Sequence, residues 1–197
     1  MRDYSTAELA YLQNRTGYLN HILFWVQPRD LASTARVGMG FWTGDQDASF
    51  VVDGQARTYQ GGGAIGEIDP IMMQSGLVVR YQRLTLAALH PGVALFLRGH
   101  DPFRAPAELH RAFFDPATDA LIASPRRMWK GLVFHSPIAT PPIGGAATAE
   151  ISLTSAAEQL THGLTTTRSD VAQKQRGGDR LYKYKDVTGP AKYSWGA

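Results

Sequence analysis

The chain has 197 residues, of which 44% are hydrophobic and 19% are charged, with 20 Gly, 11 Pro and no Cys. This length is typical of one domain or two small ones, and such a chain buries roughly 70% of its unfolded surface. The longest apolar run, residues 22–26, is far shorter than the ~18 residues of a membrane-spanning helix. Without Cys, disulfides, thiolate catalysis and Cys-ligated zinc or iron–sulfur sites are excluded.

The net charge of +3 is unevenly distributed along the chain. Residues 1–167 contain 13 Lys or Arg and 14 Asp or Glu, whereas residues 168–197 contain 7 and 3. The sequence therefore consists of a nearly neutral body and a basic C-terminal segment.

The N-terminal part is expected to form one short helix and then strands. Ser5 and Glu8 have the spacing of a capping box, which predicts the start of a helix. Residues 18–26 are β-branched and aromatic without alternation, which indicates a strand covered on both faces. Asp53 and Gly54 lie between two apolar segments and can take the positive φ angles of a two-residue type I′ hairpin.

The middle and C-terminal parts of the body show further strand patterns. Residues 77–86 change the phase of their apolar alternation, which predicts a bulge or bend within one strand. Residues 91–99 begin with Pro and end with Gly, as a short helix would. Residues 115–119 have turn composition between two expected antiparallel strands, and residues 129–134 and 147–153 predict another hairpin.

Many short strands with few short helices indicate a mainly β (β-rich α+β) fold. We expect small antiparallel barrels or a sandwich in a body formed by residues 1–164. If this body divides into two barrel-like subdomains, their boundary is expected near residues 88–106, where Pro and Gly cluster. Residues 165–197 are expected to form an extended basic, aromatic arm.

Two local patterns resemble ligand-binding loops without completing them. Residues 61–66 satisfy GxGxxG, but Pro70 follows too early for the helix that a dinucleotide site requires. They are interpreted as a Gly-rich connection between strands. Asp45 and Asp47 have the spacing of calcium-loop ligands, but the Gly and the closing Glu of such a loop are missing. A solvated turn is expected there.

No catalytic, cofactor or metal site is predicted. The six His residues form neither HxH nor HxxxH, so no local metal pair exists. His100, Asp101 and His110 remain as candidates for a dispersed hydrolase site, and no substrate follows from them. The favoured expectation is a protein without enzymatic activity or cofactor.

The C-terminal arm combines basic and aromatic residues. Asp170 is expected to cap a short helix with Gln173 at its third position, which Gly177 and Gly178 would end. Beyond it, bases interleave with Leu and Tyr, a pattern that suits single-stranded nucleic acid or a protein partner. The bases are Arg180, Lys183 and Lys185, and the residues between them are Leu181, Tyr182 and Tyr184. With little aliphatic content the arm cannot bury itself, which favours docking on another surface.

Taken in order, several stretches resemble tail hub proteins of long-tailed phages and gene transfer agents. These are FWTG at 41–44, VDG at 52–54, RTY at 57–59, HRAFFD at 110–115, KG at 130–131, ISLTS at 151–155, and RSD at 168–170 followed by Gln173 and by GD at 178–179. The resemblance covers most of the chain, and the closing segment is its most specific part.

This resemblance implies a structural subunit of the virion tail tip that is assembled in the bacterial cytoplasm. Such hubs contain β-barrels, are usually trimers, and link the distal tail ring to the tip fibre and its peptidase-bearing or receptor-binding parts. The Cys-ligated iron–sulfur cluster that some relatives carry is excluded here. A distal-tail ring subunit and a nucleic-acid-binding module remain alternatives, although nucleic acid is not the favoured partner and no membrane association is expected.

The predicted subunit interface lies on the arm. Its residues are Arg168, Ser169, Asp170, Gln173, Arg176, Asp179, Tyr182, Tyr184 and Trp195.

Overall fold

The computed structural model describes residues 4–14, 17–72, 78–143, 145, 147–161, 169–175 and 177–184. The chain forms two compact units, Met1–Gln159 and Leu160–Ala197. The first unit contains all of the described strands, and the mainly β fold predicted from the sequence is confirmed. No helix in the described ranges is long and apolar enough to span a membrane.

Twelve strands and four helices make up the described chain. The helices are α1 (Thr6–Gln13), α2 (Pro91–Gly99), α3 (Glu158–Thr161) and α4 (Asp170–Lys174). The strands are β1 (Leu19–Val26), β2 (Arg29–Asp30), β3 (Met39–Trp42), β4 (Ala48–Val52), β5 (Gln55–Tyr59), β6 (Ile65–Ile68), β7 (Tyr81–Ala87), β8 (His100–Asp101), β9 (Pro106–Phe114), β10 (Arg126–His135), β11 (Ile138–Ala139) and β12 (Thr148–Ser155).

One antiparallel sheet dominates the first unit, with the strand order β3-β1-β9-β10-β12-β7-β6 and with β11 beside β12. Its two end strands are joined by a single stretch of chain. Gln60 exchanges backbone hydrogen bonds with β3, donating to Gly40 at 2.9 Å and accepting from Trp42 at 3.0 Å. Five residues later the same stretch enters β6 at Ile65. The sheet therefore curves around its main core in the manner of a small barrel.

Strand β1 separates two hydrophobic cores, as its unbroken apolar sequence predicts. Phe24 and Val26 face the main core inside the curved sheet, which α2 covers with Phe96. Leu23 and Trp25 face a second core on the opposite side of the strand. The alternation of side chains along a strand explains this division. The expectation of a strand covered on both faces is confirmed.

Strands β4 and β5 form a separate hairpin over the second core. Val52 pairs with Gln55, so the loop has two residues, and Asp53 and Gly54 have φ angles of 50° and 77°. The predicted type I′ geometry is confirmed. Fully buried Val52 contributes roughly 1.5–3 kcal/mol to holding the hairpin on the sheet.

The predicted bulge is wrong for residues 78–86, the part of this segment that the structure describes. Strand β7 begins only at Tyr81, and it pairs with β12 in continuous register through Ala87. Gln82 and Leu84 both point inward, so the change of apolar phase marks the start of the strand. Register shifts occur instead in the partner strand β6, between Ile65 and Glu67, and in β10, between Arg127 and Trp129 and between Val133 and His135.

The helix starts follow their local signals. Ser5 Oγ accepts from the Glu8 backbone at 3.2 Å, and Glu8 Oε2 accepts from the Ser5 backbone at 2.8 Å, so the capping box of α1 is confirmed. Pro91 occupies the first turn of α2 as predicted. The region expected to hold a subdomain boundary, residues 88–106, includes α2, whose Phe96 packs in the main core.

Candidate functional site

A cluster of charged side chains lies between the β4–β5 hairpin and the central sheet. Glu108 and His110 are two residues apart on β9, so they point to the same face. Arg57 reaches them from β5, and Arg127 and Lys130 from β10. The register shift in β10 puts Arg127 and Lys130 on one face, although their positions in the chain differ by three.

Glu108 is the centre of this cluster. Its Oε2 accepts a hydrogen bond of 2.9 Å from Arg57, and both side chains are only 12% exposed. Its Oε1 lies 3.5 Å from both Arg127 and Lys130. Burial acts to raise the pKa of Glu108, but the hydrogen bond from Arg57 and the neighbouring positive charges outweigh it and lower that pKa. Arg57 also stacks over the Trp25 ring at 5.0 Å.

His110 is almost completely buried beside Glu108. Its Nε2 lies 3.8 Å from Glu108 Oε2, and neither ring nitrogen has a hydrogen-bond partner. Burial lowers the pKa of His110 to about 4, against the attraction of Glu108. The ring is therefore neutral at pH 7. Burial also raises the pKa of the neighbouring Tyr59 hydroxyl to about 12.

The cluster contains three groups that could hold a metal ion, since ligand atoms of Asp53, Glu108 and His110 lie within 4.8 Å of one another. The surrounding charges oppose this use. Arg57 and Arg127 each approach Glu108, and Arg127 also lies 3.5 Å from Asp53. A divalent cation would have to displace these ion pairs. The arrangement is better suited to fastening the hairpin to the sheet.

An acidic groove of about 580 Å³ lies at the outer end of the second core. Asp45, Asp47 and Asp119 line it, and so do the rings of Trp42 and Phe114. Asp47 also accepts a 3.0 Å hydrogen bond from the backbone of Gly61, which fixes the loop between β3 and β4.

The C-terminal unit contains α4 and a returning turn. The predicted cap at Asp170 is wrong: Ser169 is the N-cap, because its backbone is extended and its Oγ accepts from the Ala172 backbone at 3.2 Å. Asp170 is instead the first helical residue and pairs with Arg180 at 3.2 Å. Gln173 donates to Asp179 at 3.1 Å. Asp170, Gln173 and Asp179, which belong to the closing stretch of the resemblance, therefore stabilise the local structure of the arm.

Three apolar side chains in the described part of the arm are exposed. Val171, Leu181 and Tyr184 are 69%, 75% and 63% exposed, and Lys183 Nζ lies 5.0 Å from the centre of the Tyr184 ring. Among the predicted interface residues, Arg168, Arg176 and Trp195 lie outside the described residues, and the role of the others remains a prediction.

The other sequence candidates do not form one site with His110. His100 lies on β8 opposite Asp30, and its Nδ1 is 3.1 Å from the carbonyl oxygen of Leu95. Asp101 accepts from the backbone of Phe103. The Gly-rich segment leads into β6 and not into a helix, as expected for a connection.

Sequence reasoning did not find the cluster around Glu108. Its members come from three strands, and only the Glu108 and His110 spacing carries a local signal. No protein-family model matches the chain, and no curated protein is significantly similar to it.

Proposed function

We propose that this chain is a non-enzymatic structural subunit of a phage tail tip, where it forms the hub that links the distal tail ring to the tip fibre. It acts in the virion as a homotrimer, without a cofactor. The ordered sequence stretches that resemble tail hubs support this proposal, and a mainly β fold is compatible with it.

The observation that carries the proposal is that polar and apolar side chains of the arm make different contacts. Its polar motif residues bond one another, through the pairs Asp170–Arg180 and Gln173–Asp179. Three of its described apolar side chains, Val171, Leu181 and Tyr184, are exposed. Aromatic residues that become buried on association supply much of the binding energy of interfaces. An arm with this surface suits contact with a neighbouring subunit.

The same contacts favour a protein partner over nucleic acid. Arg180 and Lys174 lie 3.2 Å and 4.0 Å from Asp170, so part of their charge is already compensated. A nucleic-acid site would instead offer unpaired cations along a strand. DNA binding that falls steeply with salt and disappears when residues 168–197 are deleted would support the alternative module.

Immunogold electron microscopy tests the location. Antibodies against this chain are expected to label the distal tip of tail particles from cells that carry its gene. Label on the ring above the tip would favour the distal-tail alternative. Particles without label, together with a chain that remains monomeric in mass photometry, would contradict the proposal.

Replacing Tyr184 by Ala is expected to weaken association of the subunits about tenfold, which corresponds to about 1.4 kcal/mol. The melting temperature of the isolated chain should not change, because Tyr184 is 63% exposed. Mass photometry over a concentration series measures the first effect and calorimetry the second.

The matched control is Leu89→Ala, which removes an apolar side chain that is 80% exposed on the other unit. It should associate as the unchanged chain does. Equal weakening by both substitutions, or a loss of thermal stability in Tyr184→Ala alone, would argue against an anchoring role for the arm.

A further inference from the structure

We propose that the acidic groove binds the Lys183–Tyr184 segment from the arm of a second copy of this chain. This inference rests on the proposed function, since it names the surface on which the arm of a neighbouring subunit docks.

The groove has a single sign of charge. Three of the residues that line it are Asp45, Asp47 and Asp119, and none is Lys or Arg. Within the described chain, Asp45 and Asp119 have neither a side-chain hydrogen bond nor an ion pair, whereas Asp47 is bonded to the backbone of Gly61. Two carboxylates at the groove are thus available to a cation from another molecule.

Aromatic rings form the other wall of the groove. The ring of His21 lies 5.2 Å from the rings of both Trp42 and Phe114, and those two rings are 6.1 Å apart. A Lys side chain suits such a wall, because its alkyl stem packs on apolar surface while its ammonium group remains close to ring faces and carboxylates. The volume of about 580 Å³ lies within the usual ~300–1,000 Å³ of binding pockets.

The arm is the part of this chain that complements the groove. Residues 168–197 contain seven Lys or Arg and three Asp or Glu, whereas the rest of the chain has 13 and 14. In the arm, Lys183 lies against the exposed ring of Tyr184, so a base and an aromatic side chain are presented together. Charge complementarity and the exposed ring select this segment as the occupant.

A charge exchange tests the pairing in the full-length chain. Asp45→Lys and Lys183→Glu are each expected to weaken self-association about tenfold, and the double variant is expected to recover most of the loss. Mass photometry at low salt measures the association. A Glu67→Lys variant is the matched control, because this exposed carboxylate on β6 does not line the groove, and it should associate normally.

A disulfide trap tests whether the contact joins two copies. Because the chain has no native Cys, only the introduced thiols can form a disulfide. Chains with Gln46→Cys in the groove and chains with Leu181→Cys in the arm are mixed and oxidised. A covalent heterodimer is expected. The control pair, Glu67→Cys with Leu181→Cys, should form little covalent heterodimer.

The two proposals fail differently. One outcome is that Asp45→Lys associates normally, or that the disulfide trap gives no heterodimer, while Tyr184→Ala still weakens association. This outcome overturns the groove as the docking site and leaves the proposed hub function standing. A chain that never self-associates and never joins tail particles would overturn both.

Discussion

Replacing Glu108 with Ala is expected to lower the free energy of unfolding by about 3–5 kcal/mol at pH 7. The reason is the charge that remains. Arg57 is only 12% exposed, and without Glu108 its guanidinium is left largely buried without the carboxylate that it contacts at 2.9 Å. Arg127 and Lys130 then also lack their common counter-ion. The cost of an unpaired buried charge exceeds what the intact ion pair contributes by itself.

The control is Glu150→Ala, which also removes a strand Glu paired with an Arg. The Arg83–Glu150 pair is 3.6 Å long, and its side chains are 65% and 50% exposed. Its loss should cost at most about 1 kcal/mol. Urea unfolding followed by Trp fluorescence compares the two variants. Similar losses of unfolding free energy in the two variants would mean that burial of the Arg57–Glu108 pair does not increase the cost of breaking it.

Hydrogen exchange should locate the damage in Glu108→Ala. The β4–β5 hairpin forms its own two-stranded sheet, and an isolated hairpin is marginal in water. It depends on the second core and on the cluster around Glu108. Faster exchange is therefore expected in β4 and β5, while the pairing of β7 with β12 remains protected.

The elements that could be predicted have signals within a few residues of one another. Ser5 and Glu8 specify a cap by their spacing, and Asp53 and Gly54 specify a turn by the φ angles they tolerate. The two buried faces of β1 were also predictable, because a strand with one wet face would alternate. In each case the local preference agrees with the tertiary structure.

The features that could not be predicted depend on strand partners. Glu108 meets Arg57 across 51 positions of the sequence, and Arg127 joins them only because of a register shift in β10. The change of apolar phase within residues 77–86 does not reveal the start of a strand, because nothing local indicates that β7 begins at Tyr81. At the arm, Ser169 and Asp170 are both good caps, and only the backbone conformation decides between them.

Lowering the pH from about 6.5 to about 4 is expected to remove about 3 kcal/mol of stability through His110. In the unfolded chain this ring takes up a proton near its ordinary pKa of 6.5, whereas burial delays protonation in the folded chain to about 4. Between these values the unfolded state binds more protons, so the free energy of unfolding falls as the pH falls. Glu108 acts in the same direction at lower pH, because its pKa is lowered in the folded chain.

The groups facing His110 support this assignment. Burial opposes a positive ring most strongly, and Arg57 and Arg127 oppose it too; together they outweigh Glu108 and Asp53, which favour it. In His110→Gln the stability should change little between pH 6.5 and 4.5, while His135→Gln, at an exposed position, should keep the slope of the unchanged chain. Urea unfolding at a series of pH values measures both slopes. An unchanged slope in His110→Gln would assign the proton uptake to another group, and the buried ring would then have no part in the acid sensitivity of the fold.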